Sequence, residues 1–174
     1  GTAASIIQKS GMVNMTGDAV VADYTMEAGT FDLSGGSVEH VRQTDGTIRM
    51  SGGTVMTDCI VESGTFLLSG GTVGDVIQKG GTVRILDEVK MGDCTVYNGT
   101  LYVSGGTTAG VLQKGGTIHA DGGIMPNGCV VEGGICFLSS GTVSGLLQKD
   151  GQVNMTGGVL SAECTIENGG FVLE

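Results

Sequence analysis

The sequence predicts an all-β protein, a single parallel β-helix (β-solenoid), on three observations. A phrase of the type Val76-Ile-Gln-Lys79 occurs five times at steps of 35 residues. A second phrase, of the type Cys59-Ile-Val-Glu62, lies between these copies at the same step. Apolar residues alternate with a period of two and 34 glycines interrupt them, which favours short strands and tight corners over helices. An internal repeat of this kind is typical of stacked structural units.

Each 35-residue unit divides into two coils, because Gly-Thr steps recur at alternate spacings of 17 and 18 residues, as at Thr47, Thr65 and Thr82. We therefore predict about ten coils of 17 or 18 residues, each with three short strands and Gly-rich corners. Residues 1–174 are interpreted as a single domain, with residues 1–5 as a remnant of trimming and the chain as a fragment of a longer repeat array. An irregular segment, residues 86–91, replaces one Ser-Gly-Gly corner and is a candidate loop.

Alternation within each threonine strand predicts which side chains face the core. The first and third residues after the Thr position are apolar, as in Val83 and Ile85, and are expected to point inward. The residue between them points outward, and His119 is therefore one member of a solvated row rather than a catalyst. From Leu67 onward every second member of this outer row is apolar, and these residues form a candidate adhesive surface: Leu67, Tyr102, Phe137 and Val172.

A second outer row lies three residues before each Thr position and becomes a strict alternation of Lys and Glu from Lys114 to Glu167. Coils stack about 4.8 Å apart, so opposite charges are expected to meet across neighbouring coils. Such pairs add only a few tenths of a kcal/mol each, but they penalise a one-coil slip. The two coils of a unit are therefore expected to be complementary rather than equivalent.

Four cysteines are predicted to form a structural thiol column, since one recurs at the same inward position in every second coil: Cys59, Cys94, Cys129 and Cys164. Consecutive members would lie roughly 9.6 Å apart. That exceeds the Cα separation of about 4.4–6.8 Å that a disulfide tolerates. A column also spreads its thiols too widely for a zinc site. Cys136 lies on another strand, and the sequence shows no evident partner for it.

Acidic residues precede most of these cysteines: Asp23, Asp58, Asp93 and Glu163. We interpret them as turn residues, and a calcium or carboxylate catalytic row is the alternative. Because they recur in most units and no phosphate loop, metal-binding His pair or nucleophile–base motif occurs, we expect no catalytic residue, no metal site and no cofactor. A net charge of -10 with only eight Lys and Arg argues against nucleic acid. The sequence contains no apolar run of 18 residues, so it does not predict a membrane span.

Serines and threonines recur four residues after the Thr position, where hydroxyls satisfy backbone groups at a Gly corner. The alternative is a row of sites for sugar attachment. The serines of this row are Ser34, Ser51, Ser69, Ser104 and Ser139.

Residues 62–72 and 98–107, which read ESGTFLLSGGT and NGTLYVSGGT, resemble the short Gly-Gly repeats of self-associating autotransporter adhesins. The resemblance covers most of the chain. It implies a right-handed parallel β-helix passenger region, at a bacterial cell surface or secreted, that mediates adhesion or self-association. It also implies heptose on Ser or Thr in some members, carried here by the five serines named above. Partners would then be copies of the same chain, surface glycans or proteins, and a glycosyltransferase.

The expected function is therefore that of a non-enzymatic structural or adhesive region. Copies would associate laterally or end to end, the latter through the bare terminal rung at residues 171–174. One alternative is a carbohydrate-active β-helix enzyme or carbohydrate-binding module. Another is an intracellular or filament-forming scaffold, which reduced cysteines would suit. Ice binding ranks last, because the Thr column is interrupted at Met12, Ile135, Gln152 and Gly170.

Overall fold

The computed structural model describes residues 1–86 and 88–174, which contain 25 β strands and no helix. All paired strands run parallel and form one continuous sheet, wound into about ten coils. Neighbouring coils are offset by 17 or 18 residues, as where Thr65 pairs with Thr47 on one side and with Thr82 on the other. The predicted β-solenoid with three strands per coil is confirmed.

Three faces run the length of the solenoid. The first, here called the cysteine face, is built from β1 (Thr2–Gln8), β3 (Val20–Met26), β5 (Ser37–Gln43), β8 (Cys59–Val61), β11 (Val76–Gln78), β14 (Cys94–Val96), β17 (Val111–Gln113), β19 (Cys129–Val131), β21 (Leu146–Gln148) and β24 (Cys164–Ile166). Residues 2–5, which the sequence sets apart as a remnant, belong to β1 and pair with β3.

The second, the threonine face, follows the cysteine face across a Gly-rich corner. Its strands are β2 (Met12–Met15), β4 (Thr30–Leu33), β6 (Thr47–Met50), β9 (Thr65–Leu68), β12 (Thr82–Ile85), β15 (Thr100–Val103), β18 (Thr117–Met125), β20 (Ile135–Val143), β22 (Gln152–Met155) and β25 (Gly170–Leu173). The third, the short-strand face, holds β7 (Thr54–Val55), β10 (Thr72–Val73), β13 (Lys90–Met91), β16 (Thr107–Thr108) and β23 (Val159–Leu160). Strands β18 and β20 are long because each continues from the threonine face onto the short-strand face.

The core fills the interior of the coils with the side chains that alternation predicts to face inward. Phe66, Val83, Ile85 and Leu101 are each 0% exposed. The outermost coils are less covered, and Leu173 is 69% exposed. Burial is therefore supplied by neighbouring coils, as expected of a solenoid in which each coil contacts only the next.

The irregular segment at residues 86–91 is described at residue 86 and at residues 88–91. Asp87 lies outside the described residues. Glu88 adopts the left-handed conformation (φ 69°) that glycine occupies at the other corners. Val89 and Met91 are buried again immediately afterwards.

Five buried glutamines fasten the corner between the cysteine and threonine faces. Gln78 Nε2 donates a hydrogen bond to the carbonyl oxygen of Gly81 in its own coil (3.1 Å) and another to that of Thr100 in the next coil (3.0 Å). The same two bonds are made by Gln8, Gln43, Gln113 and Gln148. The aligned residue of the next coil is apolar, as with Val96 beside Gln78. Each amide thus joins coils in pairs, which is a physical reason for a two-coil repeat.

Glycine is required at this corner because consecutive coils approach closely there. Gly134 has a φ of 82°, and a Cβ at this position would lie 2.8 Å from the carbonyl carbon of Gly115 and 2.9 Å from Gln113 Nε2. Gly11 has the same corner position in the first coil with a φ of 75°, and nothing lies within 4 Å of a Cβ placed there. Glycine is therefore required at this corner for two separate reasons, the left-handed backbone conformation and the close approach of the preceding coil.

Candidate interaction surface

A row of mostly aliphatic side chains lies on the outside of the cysteine face. In the seven three-residue strands of this face the middle residue points outward, and these seven residues lie in unbroken register: Ile60, Ile77, Thr95, Leu112, Val130, Leu147 and Thr165. All seven are half-buried. Six steps of about 4.8 Å give a strip about 29 Å long. We call these seven residues the aliphatic strip.

One edge of the aliphatic strip carries the predicted Lys/Glu ladder. Glu132 lies between Lys114 (4.0 Å) and Lys149 (3.0 Å), which occupy the coils before and after it. Lys114 also lies 5.4 Å from the ring centroid of Tyr97, a cation–π contact with the preceding coil. These charges are paired within the chain, so this edge is polar and internally neutralised.

The other edge of the aliphatic strip is the corner that leads into the cysteine face, where glycine replaces aspartate in three coils. Asp58, Asp75 and Asp93 precede their strands, but the next three coils have glycine at this place, at Gly110, Gly128 and Gly145. The missing side chains leave two adjoining hollows of about 290 and 270 Å³ that share Asn127 and Val130. The aliphatic strip therefore borders a shallow groove with Asp93 and Glu163 near its ends.

One acidic residue at this corner, Asp75, is hydrogen-bonded to the backbone of the next coil. Asp75 Oδ1 accepts a hydrogen bond from the backbone N–H of Asp93 (2.9 Å), and Asp23 lies 3.4 Å from His40 Nδ1. Among the described residues, no three His, Cys, Asp or Glu side chains are grouped closely enough to hold a metal ion. The turn interpretation is consistent with the bond at Asp75.

The outer row of the threonine face is mixed rather than continuously apolar. Tyr102 and Phe137 do not touch directly, because His119 lies between them with ring centroids 4.9 and 5.0 Å apart and nearly parallel planes. The Arg84 guanidinium caps Tyr102 at 4.2 Å. Since the rings cover each other's faces, their edges point to solvent. Leu67 and Val172 align with other members of this row, separated from the aromatic rings by Arg84 and Asn154.

All five candidate glycosylation serines are exposed: Ser34, Ser51, Ser69, Ser104 and Ser139. Some of their hydroxyls also contact the preceding coil, as Ser69 Oγ donates to the carbonyl oxygen of Met50 (3.2 Å). The row is thus accessible to a modifying enzyme and compatible with a corner role.

The cysteine column is buried at Cys59, Cys94 and Cys129, whereas Cys164 is exposed near the last coil. Burial, with smaller contributions from Cys129 and Asp93, raises the pKa of Cys94 to about 12. Cys136 is a free, buried cysteine, as the sequence-based interpretation has it. The neighbouring Cys129 thiol, together with burial, raises the pKa of Cys136.

Comparisons with protein-family models, with curated proteins and with solved structures find no match to this chain. Within residues 1–86 and 88–174 there is no helix of the length and apolarity that a membrane crossing requires. The functional argument therefore depends on the surfaces of this molecule.

Sequence reasoning missed the aliphatic strip, although a signal for it was present. In the phrases Cys-Ile-Val and Val-Ile-Gln the middle residue is outward by alternation and yet aliphatic, as at Ile60 and Ile77. An outward position that is aliphatic in five of seven consecutive coils indicates a surface that is covered in use.

Proposed function

We propose that this chain is a non-enzymatic structural and adhesive region of a bacterial surface protein, which associates with copies of itself or with a surface partner. The observation that carries the proposal is the aliphatic strip, in which Leu112, Val130 and Leu147 lie on three consecutive coils. A rigid solenoid presents such a row at a regular spacing without spending conformational entropy on ordering it.

The surroundings of the aliphatic strip are those of a protein–protein interface. Such interfaces combine an apolar centre depleted of charge with a polar rim. Here the rim on one side is the paired ladder around Glu132, and on the other it is the groove that contains Asn127. Because the ladder charges are already paired, covering the strip leaves few charges to be desolvated alone.

The strip is narrow, which sets the expected strength of one contact. A row one side chain wide and about 29 Å long covers well under the ~800 Å² per partner of a stable interface. A single contact is therefore weak. Many copies displayed on one surface would act together, and linked contacts can strengthen binding by about 10²–10⁴ without any new interaction.

Substitution of three strip residues by threonine tests the proposal. Leu112→Thr, Val130→Thr and Leu147→Thr together remove apolar surface, while threonine already occupies this row at Thr95 and Thr165 and suits a strand. Sedimentation velocity at rising concentration is expected to show association of the unaltered chain and loss of it in the triple variant. Circular dichroism checks that both remain folded.

A matched variant on the threonine face separates the two outer rows. Leu67→Thr, Tyr102→Thr and Phe137→Thr change the same number of exposed side chains, and association is expected to persist. If this variant loses association while the strip variant keeps it, the adhesive surface is the threonine-face row. If neither variant changes sedimentation, the proposal of lateral association is wrong for the aliphatic strip and for the threonine-face row.

We propose sugar attachment as a property of the serine row, supported by the exposure of Ser34, Ser51, Ser69, Ser104 and Ser139. Intact mass of protein from its native host is expected to show heptose-sized additions, which disappear when the five serines are replaced by alanine. An unmodified mass would remove the glycan from the proposal without affecting the aliphatic strip.

End-to-end contact is a second mode of self-association. The first coil opens into a hollow of about 290 Å³ lined by apolar residues such as Ile6, Val13 and Phe31, and Leu173 is 69% exposed in the last coil. Leu173→Lys is expected to shorten any linear assemblies seen by electron microscopy without affecting lateral pairs. Unchanged assembly length would exclude this end as a contact.

A further inference from the structure

Two positions in each complete coil face each other across the corner between the cysteine and threonine faces. They are the column position and the first inward residue of the following threonine strand, seven residues later. In the second coil these are Tyr24 and Phe31, whose rings stack with centroids 4.0 Å apart. In this coil the two side chains therefore meet inside the solenoid.

One coil has cysteine at both positions. Cys129 occupies the column position on β19 and Cys136 the first inward position on β20. The other column cysteines face bulky apolar residues at this place: Phe66, Leu101 and Phe171. Cys136 is thus the one departure from a repeated apolar position that supplies a second thiol to the same point.

We propose that Cys129 and Cys136 form a disulfide within one coil. The thiol of Cys129 adjoins that of Cys136, and the two residues are 2% and 0% exposed. The bond would close the corner of residues 129–136 and tie β19 to β20 from the inside. The inference does not depend on the proposed adhesive function.

The oxidant is a small-molecule disulfide such as oxidised glutathione. One cysteine thiolate attacks a glutathione sulfur, the glutathione disulfide breaks, and one glutathione thiolate leaves. The second cysteine thiolate then attacks the mixed disulfide, forms the Cys129–Cys136 bond and releases the second glutathione. Two cysteine thiols lose two protons and two electrons, and one oxidised glutathione becomes two reduced molecules.

Burial determines when this exchange takes place. The thiolate is the reacting form, and the raised pKa of Cys136 together with the burial of both side chains disfavours it in the closed coil. The bond is therefore made while the coil is still open during folding. Once made, it is shielded from reductants in the same way. The oxidation state of Cys129 and Cys136 therefore depends on whether the chain folded in an oxidising compartment.

Disulfides between other pairs of cysteines are disfavoured by distance. Column cysteines on successive units lie two coils apart, roughly 9.6 Å, beyond the Cα range of about 4.4–6.8 Å for a disulfide. Cys164 is the exposed thiol and is the one placed to react between molecules. Oxidation is therefore expected to leave Cys59, Cys94 and Cys164 reduced within the monomer.

Peptide mapping of the full chain tests the pairing. The chain is refolded with reduced and oxidised glutathione, denatured in the presence of N-ethylmaleimide and cut with trypsin. Both cysteines then lie in one peptide, residues 115–149, which has no internal Lys or Arg. It is expected to carry no label and to be lighter than the dithiol peptide by two hydrogens, about 2 Da.

A second cut sharpens the assignment. Cleavage after Glu132 separates Cys129 from Cys136, so the two halves are expected to stay joined until a reductant is added. Cys129→Ser should leave Cys136 fully labelled, whereas the control Cys94→Ser should leave the pair unlabelled. The proposal is overturned if peptide 115–149 takes two labels, or if either cysteine is found joined to a third one. Labelling is read after denaturation, and circular dichroism of each refolded variant before that step checks that the variant has folded.

Discussion

Alanine at two equivalent glycines separates the cost of a left-handed backbone from the cost of close stacking between coils. Gly11 and Gly134 occupy the same corner, with φ values of 75° and 82°. A left-handed conformation costs a non-glycine residue about 1–2 kcal/mol. The narrower unfolded ensemble of alanine returns about 0.4–1 kcal/mol. Gly11→Ala should therefore lower the free energy of unfolding by about 1 kcal/mol.

Gly134→Ala should cost considerably more, because its methyl group meets the corner of the preceding coil. A Cβ there would lie 2.8 Å from the carbonyl carbon of Gly115 and 2.9 Å from Gln113 Nε2, and backbone must move to admit it. Inserting a methyl group into a packed region typically costs about 1–3 kcal/mol. The two variants should then differ by about 2 kcal/mol, with Gly134→Ala the less stable.

Urea unfolding followed by circular dichroism measures both losses. Met15→Ala controls for fraying, because Met15 is 5% exposed in the same coil as Gly11 and should cost about 2–5 kcal/mol if that coil unfolds with the rest. Equal losses for the two glycine variants, with a full loss for Met15→Ala, would refute the argument that stacked coils exclude a side chain at this corner.

Three further predictions concern the core amide, the charge ladder and the buried thiols. Gln78→Leu should cost about 1 kcal/mol, since two hydrogen bonds of about 1 kcal/mol each are lost while a buried, unpaired Oε1 is also removed. Gln78→Ala should cost about 2 kcal/mol more than Gln78→Leu, because the smaller side chain leaves a cavity in the core. A urea midpoint of the alanine variant no lower than that of the leucine variant would contradict this account. Glu132→Gln should cost under about 1 kcal/mol. Glu132→Lys should cost more by placing three lysines on adjacent coils, and 1 M salt should reduce the difference between the two; a difference insensitive to salt would exclude a charge effect. Stability should fall between about pH 9 and pH 12, because the Cys94 pKa is raised to about 12 from its ordinary 9.0 and the unfolded chain releases this proton first. Cys94→Ala should flatten the pH dependence of the urea midpoint, and an unchanged slope would contradict the raised pKa.

The period and the inward rows could be read from the sequence because they are one-dimensional patterns. A 35-residue step and strict alternation predict that Phe66 and Val83 face the core, and both are fully buried. The ladder around Glu132 followed in the same way, since stacking in register turns a sequence period into neighbours in space.

Contacts between residues on opposite sides of a corner could not be predicted from the sequence. The repeated glutamine was visible at Gln78, but its two acceptors are 3 and 22 residues away and both are backbone atoms. The contact between Cys129 and Cys136 was missed for the same reason, because the distance between stacked coils excludes pairs along the column and says nothing about pairs across the corner. The aliphatic strip was not predicted because the inward and outward alternation was applied only to the threonine strands.

Display on living cells tests the adhesive proposal most directly, since single contacts through the aliphatic strip are expected to be weak. The chain would be displayed on a bacterium that does not aggregate, and the settling rate of the culture measured. Cells carrying the unaltered chain should settle faster than cells without it. Cells carrying the Leu112, Val130 and Leu147 threonine variant at equal surface density should settle like the latter. Settling that is no faster with the unaltered chain than without it would contradict a self-adhesive function, and settling unaffected by the three substitutions would contradict the role of the aliphatic strip.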